Sequence, residues 1–181
     1  GSSDANSDER AAKYYEMLKE FICDTREELN IPDLKIFIYQ INNFETELPE
    51  NQMENWSLIR DAHCRITTGL KNVYSVSSFG AKMMVDGIHN SPEGCDLIGE
   101  RMATVVLSKF YGKDISSNSP MAIRATNRNG EVEITFNYET RFVIRNGFYK
   151  KPFDFKVKDK NGFIGIKEFR FGTNTVTLTL E

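Results

Sequence analysis

The sequence predicts an α/β fold in residues 1–112, followed by a small antiparallel β-module in residues 113–181. In the first part, long amphipathic segments alternate with short apolar runs, an order typical of parallel strands covered by helices. In the second part, short alternating runs are separated by Asn129-Gly130, Asn146-Gly147 and Asn161-Gly162, and Asn-Gly is a strong hairpin signal. The 181 residues, 40% hydrophobic and 27% charged, have an ordinary globular composition.

Three helices are predicted from apolar residues at helical spacing. The first runs from Asp8 to Leu29 and ends before Pro32, with one apolar face: Tyr14, Leu18, Phe21, Ile22, Thr25 and Leu29. The second runs from Glu54 to Gly69. The third runs from Glu93 to Tyr111 and stops at Gly112, and it carries an i, i+4 stripe: Ile98, Met102, Val106 and Phe110.

Two short strands are predicted between the helices, at residues 34–41 and 72–79, because both runs are apolar and rich in β-branched and aromatic side chains. Residues 80–92 leave the second strand at its carboxyl end, the edge at which open α/β sheets bind ligands. After a linker at residues 116–120, six runs are predicted to form the β-module: MAIRAT, EVEITFNY, RFVIRN, FDFKV, FIGIKEFRF and TVTLTLE.

Composition argues against several function classes. The net charge is −3, and the most lysine-rich segment, residues 149–160, alternates Lys with apolar residues and Asp, so we expect no nucleic-acid partner. No apolar stretch approaches the roughly 18 to 20 residues of a membrane span, so we expect no membrane partner. The three cysteines, Cys23, Cys64 and Cys95, form no Cys-x-x-Cys pair, so we expect buried thiols and no metal site.

Asp86 and His89 are the candidate catalytic residues. Serine esterases need an imidazole that shuttles a proton and a carboxylate that orients it. A spacing of three lets one turn bring the Asp86 carboxylate to His89 Nδ1, and Gly87 permits the tight path. The alternative interpretation is an exposed polar turn ahead of the third helix. His63 and Trp56 are better explained as structural residues.

A family resemblance supports the catalytic interpretation. Residues 86–112 resemble the last conserved block of the SGNH-type carbohydrate esterases, in the sialate O-acetylesterase and acetylxylan esterase group. In that family, Asp-x-x-His precedes a helix that carries a Gly-x-Arg-x-Ala segment and ends in Tyr-Gly. In this sequence, Gly99 to Ala103 match the segment and Tyr111-Gly112 match the end. WSLIRDAH, residues 56–63, is similar to a family helix that carries Gln at the position of His63, and GSSD at residues 1–4 is similar to Gly-Glu-Ser-Asp.

The resemblance implies the C-terminal part of an SGNH-like (flavodoxin-like) three-layer α/β domain, followed by a β-sandwich-like accessory module. It implies a serine-type O-acetylesterase that removes acetyl esters from sialic acid or a xylan-like glycan, with Asp86 and His89 from the triad and no cofactor. It also favours a periplasmic or secreted location. The alternative is an inactive hydrolase-like module that binds glycan or protein.

The resemblance further implies that the nucleophilic serine belongs to an earlier block. We therefore expect a companion N-terminal chain or segment to carry it, since two parallel strands with three helices would otherwise leave unpaired edges. Gly1, Ser3 and Asp4 are expected at the edge of the oxyanion pocket. Ser3 as the nucleophile itself is the alternative.

Overall fold

The computed structural model describes residues 1–42, 50–117, 119–139 and 155–181, apart from the side chains of residues 50 and 51. The chain divides into two compact units, Gly1–Ser119 and Pro120–Glu181. The predicted strand RFVIRN, the first two residues of FDFKV and the Asn146-Gly147 turn lie outside the described residues.

The first unit has the predicted order of elements. A short 3-10 helix (Ser2–Asn6) precedes α1 (Asp8–Glu28), and the elements that follow are β1 (Ile36–Tyr39), α2 (Glu50–Gly69), β2 (Val73–Val76) and α3 (Pro92–Lys109). β1 and β2 pair in parallel, with Ile36 opposite Val73 and Tyr39 opposite Val76. Helix α2 begins one turn earlier than its apolar spacing predicts.

Two buried clusters hold this unit together. Ile22 of α1, Ile66 of α2 and Val73 of β2 form one, so α1 and α2 pack together on one face of the strand pair. The other joins the 3-10 helix to both helices and to the chain after β1, through Ala5, Ala11, Ile41, Trp56 and Ile59. The second cluster therefore brings the first residues of the chain to the carboxyl end of β1.

Three predictions of burial are wrong. On α1, the contact with α2 runs through Ile22, which leaves Phe21, one residue further round the helix, 66% exposed. On α3, the buried line passes through Gly94, Ile98 and Val105, and Phe110 is exposed. The cysteines were predicted to be buried, but Cys23 and Cys95 are exposed and Cys64 is half-buried. Cys23 comes directly after the buried Ile22 and lies on the exposed side of α1. Cys95 lines the cleft described below.

The second unit is antiparallel, as the hairpin signals predict. Its strands are β3 (Ala122–Arg128), β4 (Glu131–Phe136), β5 (Val157–Asp159), β6 (Gly162–Ile164), β7 (Ile166–Phe171) and β8 (Thr175–Leu180). Four of them form a sheet in the order β3-β4-β8-β7, and β5 pairs with β6. The run FIGIKEFRF, predicted as one strand, divides at Gly165 into β6 and β7. The sandwich arrangement stays a prediction.

Candidate active site

The loop between β2 and α3 carries both candidate catalytic residues. Met83 and Asn90 form an antiparallel bridge, and Ser91 N donates to Lys82 O at 2.9 Å, so the loop closes on itself. Inside it, Met84 N donates to His89 O at 2.7 Å, and Gly87 has a φ of 68°, a left-handed conformation that favours glycine. The loop therefore holds the residues from Asp86 to His89 in a tight, hydrogen-bonded turn.

The Asp86 carboxylate binds His89 through both of its oxygens. Asp86 Oδ2 lies 2.7 Å from His89 Nδ1, and Oδ1 accepts from the backbone N–H groups of Ile88 and His89, each at 3.0 Å. These hydrogen bonds, first the one from the His89 backbone and then that from its ring, lower the pKa of Asp86 to about 2. The carboxylate is thus ionised at neutral pH and can hold the proton on Nδ1, which leaves Nε2 as the nitrogen that can accept one.

Helix α3 packs against this loop. The Ser91 hydroxyl caps the helix by accepting from Gly94 N at 3.2 Å, and it donates to Glu93 Oε2 at 2.7 Å. Gly94 packs directly on the loop, because a Cβ at this position would lie 2.2 Å from Lys82 O. About two turns further on, Arg101 Nη1 donates to the carbonyl oxygens of Ser77 and Phe79, both at 2.8 Å. The helix thereby fixes both ends of the segment that leaves β2.

His89 faces a cleft between this loop, the 3-10 helix and α2. The cleft has two adjoining parts of about 450 and 280 Å³, which share Ser2, Trp56, Ile88 and His89. The larger part is also lined by Ser3, Ala5, Asn6 and Gln52, and the smaller by Tyr39, Ile41, Asn42, Asn90 and Cys95. The His89 side chain is 73% exposed, so its ring is open to a substrate and to a further protein segment.

Ser3 is the predicted pocket-edge residue that lines this cleft, and Ser2, which was not predicted, lines both parts of it. Gly1 and Asp4 are not lining residues. A Cβ on Gly1 would meet Tyr14, Ile41 and His63, so Gly1 lies against the core. Asp4 pairs with Arg10 at 3.8 Å.

Asn42 and Asn90 are cleft residues that the sequence analysis missed. Asn42 Nδ2 donates to Asn90 Oδ1, which joins the chain after β1 to the residue after His89. The Trp56 indole N–H donates to the backbone oxygen of Asn42, so Trp56 both packs in the core and lines the cleft. Asn42 comes shortly after the carboxyl end of β1, a place where ligand-binding residues of α/β sheets collect, and that position was the available signal.

His63 is a buried structural residue. Its ring is only 3% exposed, and its Nε2 lies 3.1 Å from the Tyr14 hydroxyl. Burial, followed by nearby positive charge including that of Arg60, lowers the pKa of His63 to about 4. The imidazole is therefore neutral at physiological pH.

In the part of the chain that the structure describes, no three His, Cys, Asp or Glu side chains are grouped so that they could hold a metal ion. Likewise, none of the described helices combines the length and apolar character needed to cross a membrane.

Comparisons with known proteins agree on one group. Residues 1–108 match the family model described as carbohydrate esterase, sialic acid-specific acetylesterase. The crystal structure of a carbohydrate acetylesterase from Xanthomonas citri superposes with a TM-score of 0.77 at 20% identity, over 98% of this chain and 40% of that protein. At this identity the likeness concerns the fold, and the chain spans about two fifths of its structural neighbour. No curated protein matches the chain.

Proposed function

Because the chain belongs to the sialic acid-specific acetylesterase family of carbohydrate esterases, we propose that it provides the acid–base half of a serine-type O-acetylesterase. The observation that carries the proposal is the 2.7 Å contact between Asp86 Oδ2 and His89 Nδ1 at the wall of a cleft. A serine hydrolase needs this pair in this orientation, since the carboxylate fixes the tautomer that leaves Nε2 basic.

In the proposed acylation step, His89 is first a general base and then a general acid. Nε2 takes the proton from the serine hydroxyl while the serine oxygen bonds to the acetyl carbonyl carbon, which gives a tetrahedral oxyanion. Asp86 stabilises the imidazolium so formed. The bond between the carbonyl carbon and the sugar oxygen then breaks, and that oxygen takes the proton from Nε2. The products are free sugar and an acetyl-serine.

Deacylation repeats the same proton transfers with water. His89 Nε2 takes a proton from the water that attacks the acetyl carbon, and it returns the proton to the serine oxygen as acetate leaves. Asp86, with a pKa of about 2, stays ionised throughout the neutral range. No net proton is lost from the pair over the cycle.

The proposed source of the nucleophile is a companion N-terminal segment. The resemblance to SGNH-type esterases supports this source, because their nucleophile precedes the block similar to residues 1–4. The exposed ring of His89 leaves room for an approaching serine. Ser3 remains the alternative nucleophile, since it lines the same cleft as His89. In that case, Gly1 and Asp4 would only help to position Ser3.

The proposed substrate is an acetylated carbohydrate, with sialic acid and xylan-like glycans as the candidate sugars. The description of the matching family supports sialic acid, and the cleft of about 450 Å³ is large enough for a monosaccharide.

The test is acetate release from O-acetylated sialic acid and from acetylated xylan by the full-length protein. His89→Ala should lower kcat/KM by about a thousandfold or more, and Asp86→Asn should do nearly as much by favouring the wrong tautomer. His63→Gln, which replaces the other histidine, is the matched control and should retain activity. Full activity of His89→Ala would refute the proposal. No acetate release by the unaltered protein would favour an inactive module that binds glycan or protein.

A further inference from the structure

Asn42 has a buried oxygen with no partner among the described residues. The side chain is 5% exposed, and its Oδ1 accepts no hydrogen bond there. Its other end is bound, because Nδ2 donates to Asn90 Oδ1. A buried acceptor that has lost water and gained no donor costs about 1–3 kcal/mol, and native structures retain few such groups without a reason.

The surroundings hold Asn42 in one place. The indole N–H of Trp56 donates to the Asn42 backbone oxygen. The preceding carbonyl, Ile41 O, accepts from Arg60 Nη1 and from Ser78 Oγ, the latter at 3.1 Å. Donors from α2 and from the chain after β2 thus fix the backbone on both sides of this peptide. A side chain supported in this way is preorganised for a ligand.

Asn42 lines the same part of the cleft as His89. Both line the 280 Å³ part of the cleft, and the Asn42 amide is bonded to Asn90, the residue after His89. A group that contacts Asn42 is therefore close to the ring that would transfer protons in the proposed reaction.

We propose that Asn42 determines substrate specificity: its Oδ1 accepts a hydrogen bond from a free hydroxyl of the sugar next to the acetylated position. This inference rests on the proposed esterase function. An acetyl ester offers only acceptor oxygens, so an acceptor such as Asn42 Oδ1 cannot recognise the acetyl group itself. It selects esters whose alcohol part carries a hydrogen-bond donor, which a sugar does and a simple phenol ester does not.

Two esters test the proposal in the full-length protein. Methyl mono-O-acetyl-xyloside keeps free hydroxyls, whereas p-nitrophenyl acetate has no hydrogen-bond donor. A site that binds a substrate hydroxyl loses its preference when the protein partner is removed. Asn42→Ala should therefore lower kcat/KM for the xyloside by about 10- to 100-fold more than for p-nitrophenyl acetate.

Asn55→Ala is the matched control. Asn55 is also 5% exposed, but it donates to Ala5 O and Asp8 Oδ1 and does not line the cleft. We expect Asn55→Ala to lower the stability while leaving the ratio of the two kcat/KM values unchanged. Should Asn42→Ala fail to fold, Asn42→Asp is the second variant. Because it keeps an acceptor oxygen, it should still prefer the xyloside over p-nitrophenyl acetate.

The outcomes separate this inference from the proposed function. Equal effects of Asn42→Ala on both esters, or none, would overturn the role of Asn42 and leave the esterase intact. Complete loss of the xyloside preference in a folded Asn42→Asp protein, which keeps the acceptor oxygen, would do the same. No hydrolysis of either ester by the unaltered protein would refute the esterase function, and the role of Asn42 with it.

Discussion

The contact between Asp86 and His89 is produced by the spacing of three residues and by one glycine. The left-handed Gly87 turns the chain back, so that Asp86 accepts two backbone N–H groups as well as the ring. Because those bonds hold the pKa of Asp86 at about 2, the carboxylate stays ionised and able to orient the His89 ring through the neutral range. The Asp86 carboxylate would be protonated, and so stop orienting the His89 ring, only in strong acid.

At the residue scale, the lowered pKa of the buried His63 predicts that the protein loses stability in mild acid. Its pKa falls from 6.5 to about 4 on folding, so the unfolded chain binds a proton more readily between these values. This contribution to the free energy of unfolding is complete above pH 6.5 and is lost as the pH falls from 6.5 through 4. The loss totals about 3 kcal/mol once the pH is below 4, and about 2 kcal/mol of it falls between pH 7 and pH 5. Urea unfolding at pH 7, 6 and 5 measures it.

His63→Gln should remove that pH dependence, because glutamine has no proton to gain. Glu93→Gln is the control: the pKa of Glu93 is lowered from 4.5 to about 2, chiefly by the hydrogen bond from Ser91, so its contribution is lost only below pH 4.5. A difference between the unaltered protein and His63→Gln that stays constant from pH 7 to pH 5 would contradict this account.

At the element scale, α3 offers a matched pair of glycines. A Cβ on Gly94 would lie 2.2 Å from the backbone oxygen of Lys82, whereas a Cβ on Gly99 would meet nothing within 4 Å. Gly94→Ala should destabilise the protein by about 1–3 kcal/mol through overpacking. Gly99→Ala should stabilise it by about 0.5–1 kcal/mol, because alanine suits a helix interior better.

Thermal unfolding of both variants measures this difference, and acetate release shows its effect on the loop. Since Lys82 also accepts from Ser91 N, displacing it would disturb the loop that holds His89, so Gly94→Ala should lose activity as well as stability. Equal stability of the two alanine variants would mean that α3 does not pack on the loop as described.

The sequence predicts the helices and strands better than it predicts which face of each helix is buried. Helices α1, α2 and α3, the parallel pair β1 and β2, and the Asn129-Gly130 hairpin all follow from local spacing and turn chemistry. The exposure of Phe21 and Phe110 does not, because it depends on which neighbour each helix meets. Gly165 divides a run that local propensity predicts as one strand.

The same limit applies to the site. The positions of Asp86 and His89 relative to each other follow from a short-range motif. Asn42 and Ser2 reach the cleft only through long-range packing of the 3-10 helix and Trp56, which no local pattern reveals.

At the scale of the whole molecule, all the cleft residues lie in the first unit, Gly1–Ser119. Its loop beside His89 exposes a run of apolar side chains: Phe79, Met84, Val85 and Ile88. Exposed apolar side chains next to a polar site are common at interaction surfaces. They support the proposal that a companion segment covers this edge and brings a serine to His89.

The most direct measurement is the labelling rate of the full-length protein with a fluorophosphonate probe, followed by intact and peptide mass spectrometry. We predict a single label on a serine of the companion segment and a labelling rate about a hundredfold or more lower in His89→Ala, because the imidazole activates that serine. His63→Gln should label at the original rate. A label on Ser3 would place the nucleophile in this chain instead. Labelling at an unchanged rate in His89→Ala, or no labelling at all, would contradict the claim that Asp86 and His89 are the acid–base pair of a serine esterase.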